Sequence, residues 1–574
     1  MALGLLALSL VATSCGGKKE GETNEVSLKE KHLTAADGES GLAEAGKPVR
    51  GGTLKYGVEA DTASYCLPEA QLAISGMLVV RALYDTLTVP NEKGEYVPYL
   101  AQKLDHNATY DEWTITLRKG IKFSDGSDLT AEVVKNNLDA YRGKYPGRSS
   151  LLFTFVLSNI DTVEVTGPLT VKVTTKKPWV AFPAYLFSSS RLGIVGQAQL
   201  DSDNCDKKLI GTGPFQLVSW TENSKLVAKR NPNYWQIAPD GKPYPYADGI
   251  EFRPITDGQV RNQALQAGDI NLMHTTNSMD IANKLWKLRE DGKINMYVSE
   301  EQAEVAFLQL NATKPPFNDV RMRKAMAMAA NREQINEIVN SGLNTIANGP
   351  ISPGSLGFVK DTGFPAYNQK AARALVQEYV GEGHKSEFTL SSTPDPAVKQ
   401  LVQLVQTRAK AIGVTVKIRY RDQAALINDA IGRDFQAMTF RNYPGGDPDS
   451  LYVWFHSGGA NPEGYASNPV NFAGFADKVV DKALDDGRSE PDPTKREKIY
   501  ETLDKQMGSQ VYGLWTWFTP WAIAESSNVH GILGPPLPGE DASKPGPATT
   551  DDPARKPSLG LAVGHSLIGL WISK

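Results

Sequence analysis

The pattern of strands and helices changes about half-way along the chain, and this change limits the folds that are open to it. Up to about Glu304 the sequence is rich in strands and short turns, such as the alternating strand predicted over 113–117. Beyond that point residues 319–342 read as one helix, and a helix over 396–412 leads straight into a strand over 414–419. Helices that alternate with strands indicate an α/β domain. With 574 residues the chain is longer than one ordinary domain, so we expect at least two lobes.

The end of the chain suggests how the lobes are connected. The apolar tail at 558–574 is too short to span a membrane comfortably and predicts a last strand that returns to the first lobe. A chain that leaves one lobe, builds a second and returns forms a hinge with two crossings. That layout suits closure around a ligand.

The first 15 residues are typical of a lipoprotein signal peptide. Residues 1–14 form an apolar run that is too short for a bilayer but suits the hydrophobic region of a secretory signal, although no Lys or Arg precedes it. Residues 12–15, Ala-Thr-Ser-Cys, resemble a bacterial lipobox, in which the cysteine is lipidated and becomes the mature N-terminus. Ala12 stands where a larger aliphatic residue is usual. We expect Cys15 to be lipidated; the alternative is an incidental cysteine near an ordinary cleavage site.

Residues 16–49 are predicted to form a flexible tether. No aromatic residue occurs between Gly16 and Lys47, and lysine, glutamate and glycine are frequent there. Such a segment buries too little apolar surface to offset the entropy lost on ordering. The folded part of the chain is therefore expected to begin near Arg50.

Cysteine content and charge exclude several classes of protein. The three cysteines, Cys15, Cys66 and Cys205, form no CxxC pair that would suggest a zinc site or thioredoxin chemistry. In an exported protein Cys66 and Cys205 lie in an oxidising compartment and could pair; the alternative is two unpaired or buried thiols. A net charge of −4 gives no support to nucleic-acid binding.

No catalytic or metal-binding motif emerges from the sequence. There is no HExxH, no GxSxG and no plausible histidine pair, and the GxxxxGK match at 41–47 is a chance match followed by Pro48. We therefore predict no catalytic residue, no metal site and no cofactor. Asp447 and Asp449 form a close pair that a hydrolase could use as acid and base, although Asp-Pro-Asp is more commonly a turn.

Several stretches, in order along the chain, carry a resemblance to a known family. They are WTITLRKGIKFSDGSDLTAEVV (113–134), GTGPF (211–215) with RNPNYW (230–235), LNATKPPFNDVRMRKAMAMAANR (310–332), and GGDPDSLYVWF (445–455) with NFAGFADKVVD (471–481). With these motifs the chain resembles the family 5 extracytoplasmic solute-binding proteins of bacterial ABC importers, the branch that handles peptides, nickel chelates, opines and related solutes.

The resemblance implies an α/β, bilobal, periplasmic-binding-protein-like fold of type II. Two mixed-sheet lobes would be joined by a two-strand hinge. Lobe I would comprise residues 50–302 plus 521–574, with an additional subdomain at about 84–200, and lobe II would comprise 303–520. The predicted hinge strands lie near Val305–Asn311 and Tyr512–Ala524.

The ligand is expected in the cleft between the lobes. The predicted ligand-binding residues are Tyr65, Asn442, Tyr443, Asp447, Asp449 and Asn471. Peptide-binding members of the family hold the peptide α-amine with an aspartate three positions before the Asp-Pro pair, and Pro444 occupies that position here. The charged anchor is therefore missing, which makes an ordinary peptide ligand less secure. Asp447 could substitute for it, or could instead cap its own turn.

These expectations combine into one function. The protein would be a monomeric lipoprotein, anchored by lipid to the outer face of the cell membrane, that captures a small polar solute such as a peptide. It would deliver the solute to a membrane permease powered by a separate ATPase, without enzymatic activity and without a nucleic-acid partner. Two alternatives stay open: a secreted hydrolase that uses Asp447 and Asp449, and a receptor-like sensor or peptide chaperone.

Overall fold

The computed structural model describes residues 46–150, 152–443, 445–539, 544, 551–558, 560 and 566–573. The predicted signal peptide with Cys15, nearly all of the predicted tether, and Pro444 lie outside these residues. The strands are β1 Thr53–Val58, β2 Thr88–Pro90, β3 Tyr96–Pro98, β4 Ala101–His106, β5 Glu112–Leu117, β6 Ile160–Gly167, β7 Thr170–Thr175, β8 Phe215–Thr221, β9 Lys225–Arg230, β10 Gly249–Pro254, β11 Leu272–Thr275, β12 Ile294–Leu310, β13 Glu387–Ser392, β14 Thr415–Tyr420, β15 Ala437–Asn442, β16 Gly513–Ser526, β17 Val529–His530 and β18 Trp571–Ile572.

The described α-helices fall in both halves of the chain, and the longer ones lie in the second half. They are Ile74–Leu83, Ala131–Tyr141, Thr154–Leu157, Phe182–Tyr185, Gln197–Leu200, Gly258–Ala267, Trp286–Glu290, Val320–Ala330, Arg332–Asn340, Gln369–Gly381, Pro396–Ala411, Gln423–Ile431, Tyr452–Phe455, Lys478–Ser489 and Pro493–Ser509. The predicted helix over 319–342 is in fact two helices. Asn331, with φ 45°, ends the first in a left-handed conformation, and its side chain caps the second by accepting from the Gln334 N–H.

Two long antiparallel strands run through the centre of a ten-stranded mixed sheet. Its strand order is β14-β13-β15-β12-β16-β11-β1-β10-β9-β8. At one end of the central pair β16 joins β11, and at the other end β12 joins β15. We call the side that carries β11, β1 and β8–β10 lobe I, and the side that carries β13–β15 lobe II. The two mixed sheets therefore share β12 and β16, which form the expected two-strand hinge.

The hinge strands are irregular near their midpoint. Their register runs from Ile294 opposite Ser526 to Gln309 opposite Gly513, with a shift between Ser299 and Glu304. An interruption of this kind bends a strand and increases its local twist. The two lobes consequently meet at the bulge in β12, close to Glu304.

Two large hydrophobic clusters fill much of the interior. One consists mainly of residues from 54 to 297 but also includes lobe II residues such as Leu426, Met438 and Phe472, and the other consists of residues from 303 to 518. Phe440, Tyr452 and Trp454 pack against both clusters. An antiparallel sheet of order β4-β5-β7-β6 packs with the first cluster and lies inside the region predicted as a subdomain.

The GTGPF and RNPNYW motifs converge on one buried carboxylate. Asp85 accepts hydrogen bonds from Thr212 Oγ1 (3.0 Å) and Trp235 Nε1 (2.9 Å). Burial raises the pKa of Asp85 to about 6 in spite of these donors. Gly213 lies against the Leu83 backbone, where an added Cβ would come within 2.4 Å of the Leu83 carbonyl carbon. These motif residues fix the packing of lobe I.

Two connections tie distant parts of lobe I together. Cys66 and Cys205 form a disulfide with their Cα atoms 5.0 Å apart, so the pairing left open by the sequence occurs in the structure. The tail ends in β18, which pairs with β17, and Trp571 packs among Tyr234 and other aromatic residues of lobe I.

Candidate functional site: the cleft between the lobes

A charged network spans the two lobes beside the hinge. Arg441, near the end of β15 in lobe II, donates from Nη2 to Glu59 Oε2 (2.8 Å) and from Nη1 to Thr276 Oγ1 (2.7 Å). Glu59 follows β1, and Thr276 follows β11, so both acceptors belong to lobe I. Burial alone would raise the pKa of Glu59, but Arg441 and His274 hold it well below its usual range. Glu59 is therefore an ionised partner for Arg441 across the cleft.

The hinge strands also contribute residues to this charged network. Glu304, at the bulge of β12, accepts from Trp521 Nε1 (3.2 Å) and lies 3.7 Å from Arg441 Nη1. The His274 ring stacks on Trp521, and burial lowers the pKa of His274. Burial also raises the pKa of Glu304, against the influence of Arg441. Glu304 thus connects the charged network to the hinge strand β12.

Tyr443 is a buried residue with an unpaired hydroxyl. It follows β15 and is 5% exposed, and its hydroxyl has no hydrogen-bond partner among the described residues. Burial raises its pKa well above the usual value, while Arg81 and Arg191 act in the opposite direction. Arg81 donates to Ser190 Oγ (2.8 Å), and burial lowers the pKa of both arginines to about 10.

Several charged and polar side chains of both lobes are partly exposed. Glu59, Arg81, Tyr96, Arg191 and Arg441 each keep an intermediate fraction of accessible surface. Burial is nevertheless the largest influence on the pKa of each.

A small aromatic cavity of about 10 Å³ lies on the lobe II side, between β12, β15 and the segment that follows helix 452–455. It is lined by Phe307, Gln309, Phe440, Asn442, Trp454, Phe455, Val470 and Phe472. Gln309 Nε2 has no hydrogen-bond partner in the described part of the chain. A space of this size holds about one water molecule.

The structure gives Asp449 a different environment from the one expected of a ligand contact. Its side chain is fully buried, and Arg488 donates to both of its oxygens, at 2.9 and 3.2 Å. Trp179 Nε1, from the lobe I side, also donates to it (2.8 Å). Asp449 thus joins the lobes as part of a buried ion pair.

The Asp447 carboxylate is also paired with an arginine. Two nitrogens of Arg496 contact its two oxygens at 2.6 and 2.7 Å, and Oδ1 accepts from the Asp449 N–H at 2.8 Å. This corresponds to the turn-capping role named above as the alternative for Asp447. Because Asp447 and Asp449 are held by different arginines, the pair is not poised as an acid and a base, and the hydrolase alternative is not favoured.

Tyr65 and Asn471 are also held by neighbouring protein groups. The Tyr65 hydroxyl donates to Asp61 Oδ1 (3.3 Å), and its ring meets Trp220 edge-on at 4.8 Å. Asn471 is fully buried and donates to the Phe455 and Phe475 carbonyls, both at 3.1 Å. Of the six predicted ligand residues, Asn442 lines the aromatic cavity, and Tyr443 is buried with its hydroxyl unpaired among the described residues.

Sequence reasoning missed most of the charged residues of the cleft. Arg441 stands in the same RNYPGGDPDS loop that supplied Asn442 and Tyr443, so its charge was a usable signal. Glu59 belongs to no motif, and only the fold brings it to Arg441. The described residues contain no group of three or more side chains suited to holding a metal ion. No helix within the described ranges is long and apolar enough to cross a membrane.

Comparison with known proteins agrees with this architecture. Residues 95–463, more than half of the chain, match the family model of bacterial extracellular solute-binding proteins, family 5 (middle). The chain belongs to this family. It is 28% identical over 401 residues to the glutathione-binding protein GsiB of Salmonella typhimurium, covering 69% of this chain and 75% of that protein. It is 26% identical over 559 residues to the oligopeptide-binding protein AppA of Bacillus subtilis, covering 92% and 94%.

Solved structures share the fold. The periplasmic binding protein DppA of Helicobacter pylori, in complex with the peptide STSA, superposes with a TM-score of 0.77 at 21% identity. The superposition covers 93% of this chain and 100% of that one. The expected bilobal fold of the periplasmic binding proteins is therefore confirmed.

Proposed function

We propose that the protein is the extracytoplasmic substrate-binding component of an ABC importer. It captures a small polar solute between its lobes and delivers it to a membrane permease that is driven by a separate ATPase. Family membership supports solute binding as the activity. The observation that carries the proposal is the charged contact between the lobes beside the two-strand hinge, where Arg441 of lobe II bonds to Glu59 of lobe I.

The contacts between the lobes suggest how closure works. In an open form Arg441 separates from Glu59 and Thr276, and Asp449 separates from Trp179. A solute that touches both walls binds the closed form more tightly, and it shifts the population by that difference in affinity. In the closed form Arg441 again bonds to Glu59 and Thr276, and the solute lies beside these bonds.

The solute is proposed to be a peptide or a related compound of similar size. Relatives carry the names glutathione-binding and oligopeptide-binding proteins, which supports this class. Charged groups from both lobes, Arg441 and Glu59 among them, would recognise the backbone or terminal groups of such a solute. Binding and delivery of the solute need no chemical reaction, so we propose no enzymatic activity.

Cys15 is proposed to carry the lipid anchor, with residues 16–49 as the tether between the membrane and lobe I. A single acyl chain binds a membrane only marginally, so stable attachment needs more than one. Metabolic labelling with a fatty-acid analogue should mark the wild-type protein and leave Cys15→Ala unlabelled. Labelling that survives this substitution would remove the anchor from the proposal without affecting the solute-binding role.

Solute binding is tested by thermal unfolding of the purified protein in a library of peptides, glutathione and opines. A ligand at 100 times its Kd stabilises the folded state by about 2.7 kcal/mol, which raises the melting temperature. We expect a few solutes to produce such a rise, without formation of a product. A library in which no solute raises the melting temperature would count against the proposal.

A further inference from the structure

The lobes also meet outside the two hinge strands, through the segment that follows β7. Trp179 Nε1 donates to Asp449 Oδ2 (2.8 Å), and the Tyr185 hydroxyl donates to the Asp449 carbonyl oxygen (3.1 Å). The Val180 N–H donates to the Arg488 carbonyl oxygen at 2.9 Å. Trp179, Val180 and Tyr185 lie on the lobe I side, and Asp449 and Arg488 belong to lobe II. We call these residues the latch.

The latch is an interior contact. Trp179 and Asp449 are 0% exposed, and Tyr185 and Arg488 are also buried. The Trp179 N–H donates to the Tyr110 carbonyl oxygen (2.9 Å), which anchors the segment to the four-stranded sheet. The Arg488 guanidinium lies 4.4 Å from the Trp179 ring centroid and 5.5 Å from that of Tyr185, so cation–π contacts cross between the lobes as well. Separation of the lobes at this place would lose all of these contacts, so the latch favours the closed form.

The polar groups of the latch are bonded to one another. Both carboxylate oxygens of Asp449 accept from Arg488, at 2.9 and 3.2 Å, and one of them also accepts from Trp179. Arg441 makes its bonds to Glu59 and Thr276 beside the hinge, so the two sets of bonds between the lobes share no residue. The latch therefore contributes to closure through contacts that involve no solute.

We propose that Trp179 and Tyr185 set the affinity of the protein for its solute from outside the binding site, by holding the lobes closed. The inference rests on the proposed function and names residues that regulate it. A solute held between the lobes leaves after they separate, so each bond that stabilises the closed form slows its release. Differences in affinity between variants of one site lie mostly in the dissociation rate. Trp179 and Tyr185 are positioning residues, because they act through Asp449 of lobe II.

The first measurement follows the lobes directly and needs no solute. Nitroxide labels at Val165→Cys, on the lobe I side, and Val479→Cys, in lobe II, occupy exposed positions. Double electron–electron resonance between them gives the distribution of distances across the latch. The labelled chain carries Cys15→Ala and keeps its disulfide, so no other thiol is free.

The variants remove one hydrogen bond each. Trp179→Phe keeps a ring beside Arg488 but loses a bond to a carboxylate, and it should shift the ratio of closed to open form about 10-fold toward the open form. Tyr185→Phe loses a bond to a neutral carbonyl, so its shift should be smaller, about 3-fold. Trp235→Phe is the matched control, since the Trp235 indole donates to the buried Asp85 carboxylate (2.9 Å) within lobe I. It should leave the ratio unchanged.

The second measurement is the release of glutathione and of trialanine, followed by intrinsic fluorescence in a stopped-flow displacement experiment. Release should be about 10-fold faster from Trp179→Phe than from the wild type, and unchanged in Trp235→Phe. Both variants lose an indole N–H that donates to a buried carboxylate, so a loss of stability alone would affect both alike. Faster release confined to Trp179→Phe and Tyr185→Phe is the result that a merely structural role would not produce.

The outcomes separate this inference from the proposed function. Unchanged distances and unchanged release in Trp179→Phe would overturn the inference and leave solute binding intact. Equal effects in Trp179→Phe and Trp235→Phe would also overturn it, because the change would then follow from lost stability. If neither peptide binds, the distance measurement alone decides the inference, and the solute library decides the proposed function.

Discussion

The buried ion pair between Asp449 and Arg488 gives the sharpest prediction about stability. Asp449→Asn keeps the shape of the side chain and an acceptor for Trp179, but it leaves Arg488, whose side chain is 4% exposed, as an uncompensated charge. Breaking one side of a buried pair costs about 3–5 kcal/mol. The Arg488 guanidinium also lies 3.5 Å from the Tyr452 ring centroid and 4.4 Å from that of Trp179. These cation–π contacts persist in the variant, so we expect the low end of the range, about 3 kcal/mol.

Urea unfolding, followed by far-UV circular dichroism, measures this loss. The double variant Asp449→Asn with Arg488→Met removes the stranded charge, and it should recover about 1–3 kcal/mol relative to Asp449→Asn alone. Asp486→Asn breaks the exposed pair with Lys482 and, as the control, should cost less than about 0.5 kcal/mol. Arg488→Met is also measured alone. If the losses of stability of Asp449→Asn and Arg488→Met simply add in the double variant, the reasoning about a buried, coupled pair is refuted.

Three further predictions concern lobe packing and pH. Cys66→Ser removes a disulfide that closes a separation of 139 residues, and it should lower the free energy of unfolding by about 2–5 kcal/mol; a loss below 1 kcal/mol in calorimetry under oxidising conditions would contradict this. Burial raises the pKa of Asp504 to about 7, above its usual 3.8, so the wild type should lose stability as the pH rises from about 4 to above 7. Asp504→Asn should flatten that part of the pH profile of the melting temperature, and an unchanged slope would refute the assignment. Gly213→Ala places a Cβ within 2.4 Å of the Leu83 carbonyl carbon and should cost about 1–3 kcal/mol, whereas Gly381→Ala, which meets nothing within 4 Å, should cost none; equal unfolding midpoints in urea would count against the close approach.

Local features of the fold were well predicted because they depend on neighbouring residues. Thr130, a residue type that favours helix N-caps, caps the helix Ala131–Tyr141 by accepting from the Val133 N–H. The helix over 396–412 and the following strand also occur, as Pro396–Ala411 and Thr415–Tyr420. The break at Asn331 was missed, since apolar periodicity continues through a residue that is left-handed only in the folded chain.

The site was harder to predict because it depends on contacts between lobes. A loop rich in glycine and proline suggested Tyr443 and Asn442 as ligand contacts, which stays a prediction, and Asn442 lines the aromatic cavity. The same loop suggested Asp447 and Asp449 as ligand contacts, but their arginine partners, Arg496 and Arg488, come from helices further along the chain. Nothing in the local sequence distinguishes a carboxylate that binds a solute from one that pairs with a distant arginine.

The most direct test of the central claim is native mass spectrometry of the purified chain, incubated with a peptide that raises its melting temperature. The account predicts one solute per chain and recovery of that solute chemically intact after the protein is unfolded. Absence of any adduct would contradict solute binding. Recovery of a cleaved product would contradict the proposal that the protein binds and delivers its solute without a reaction.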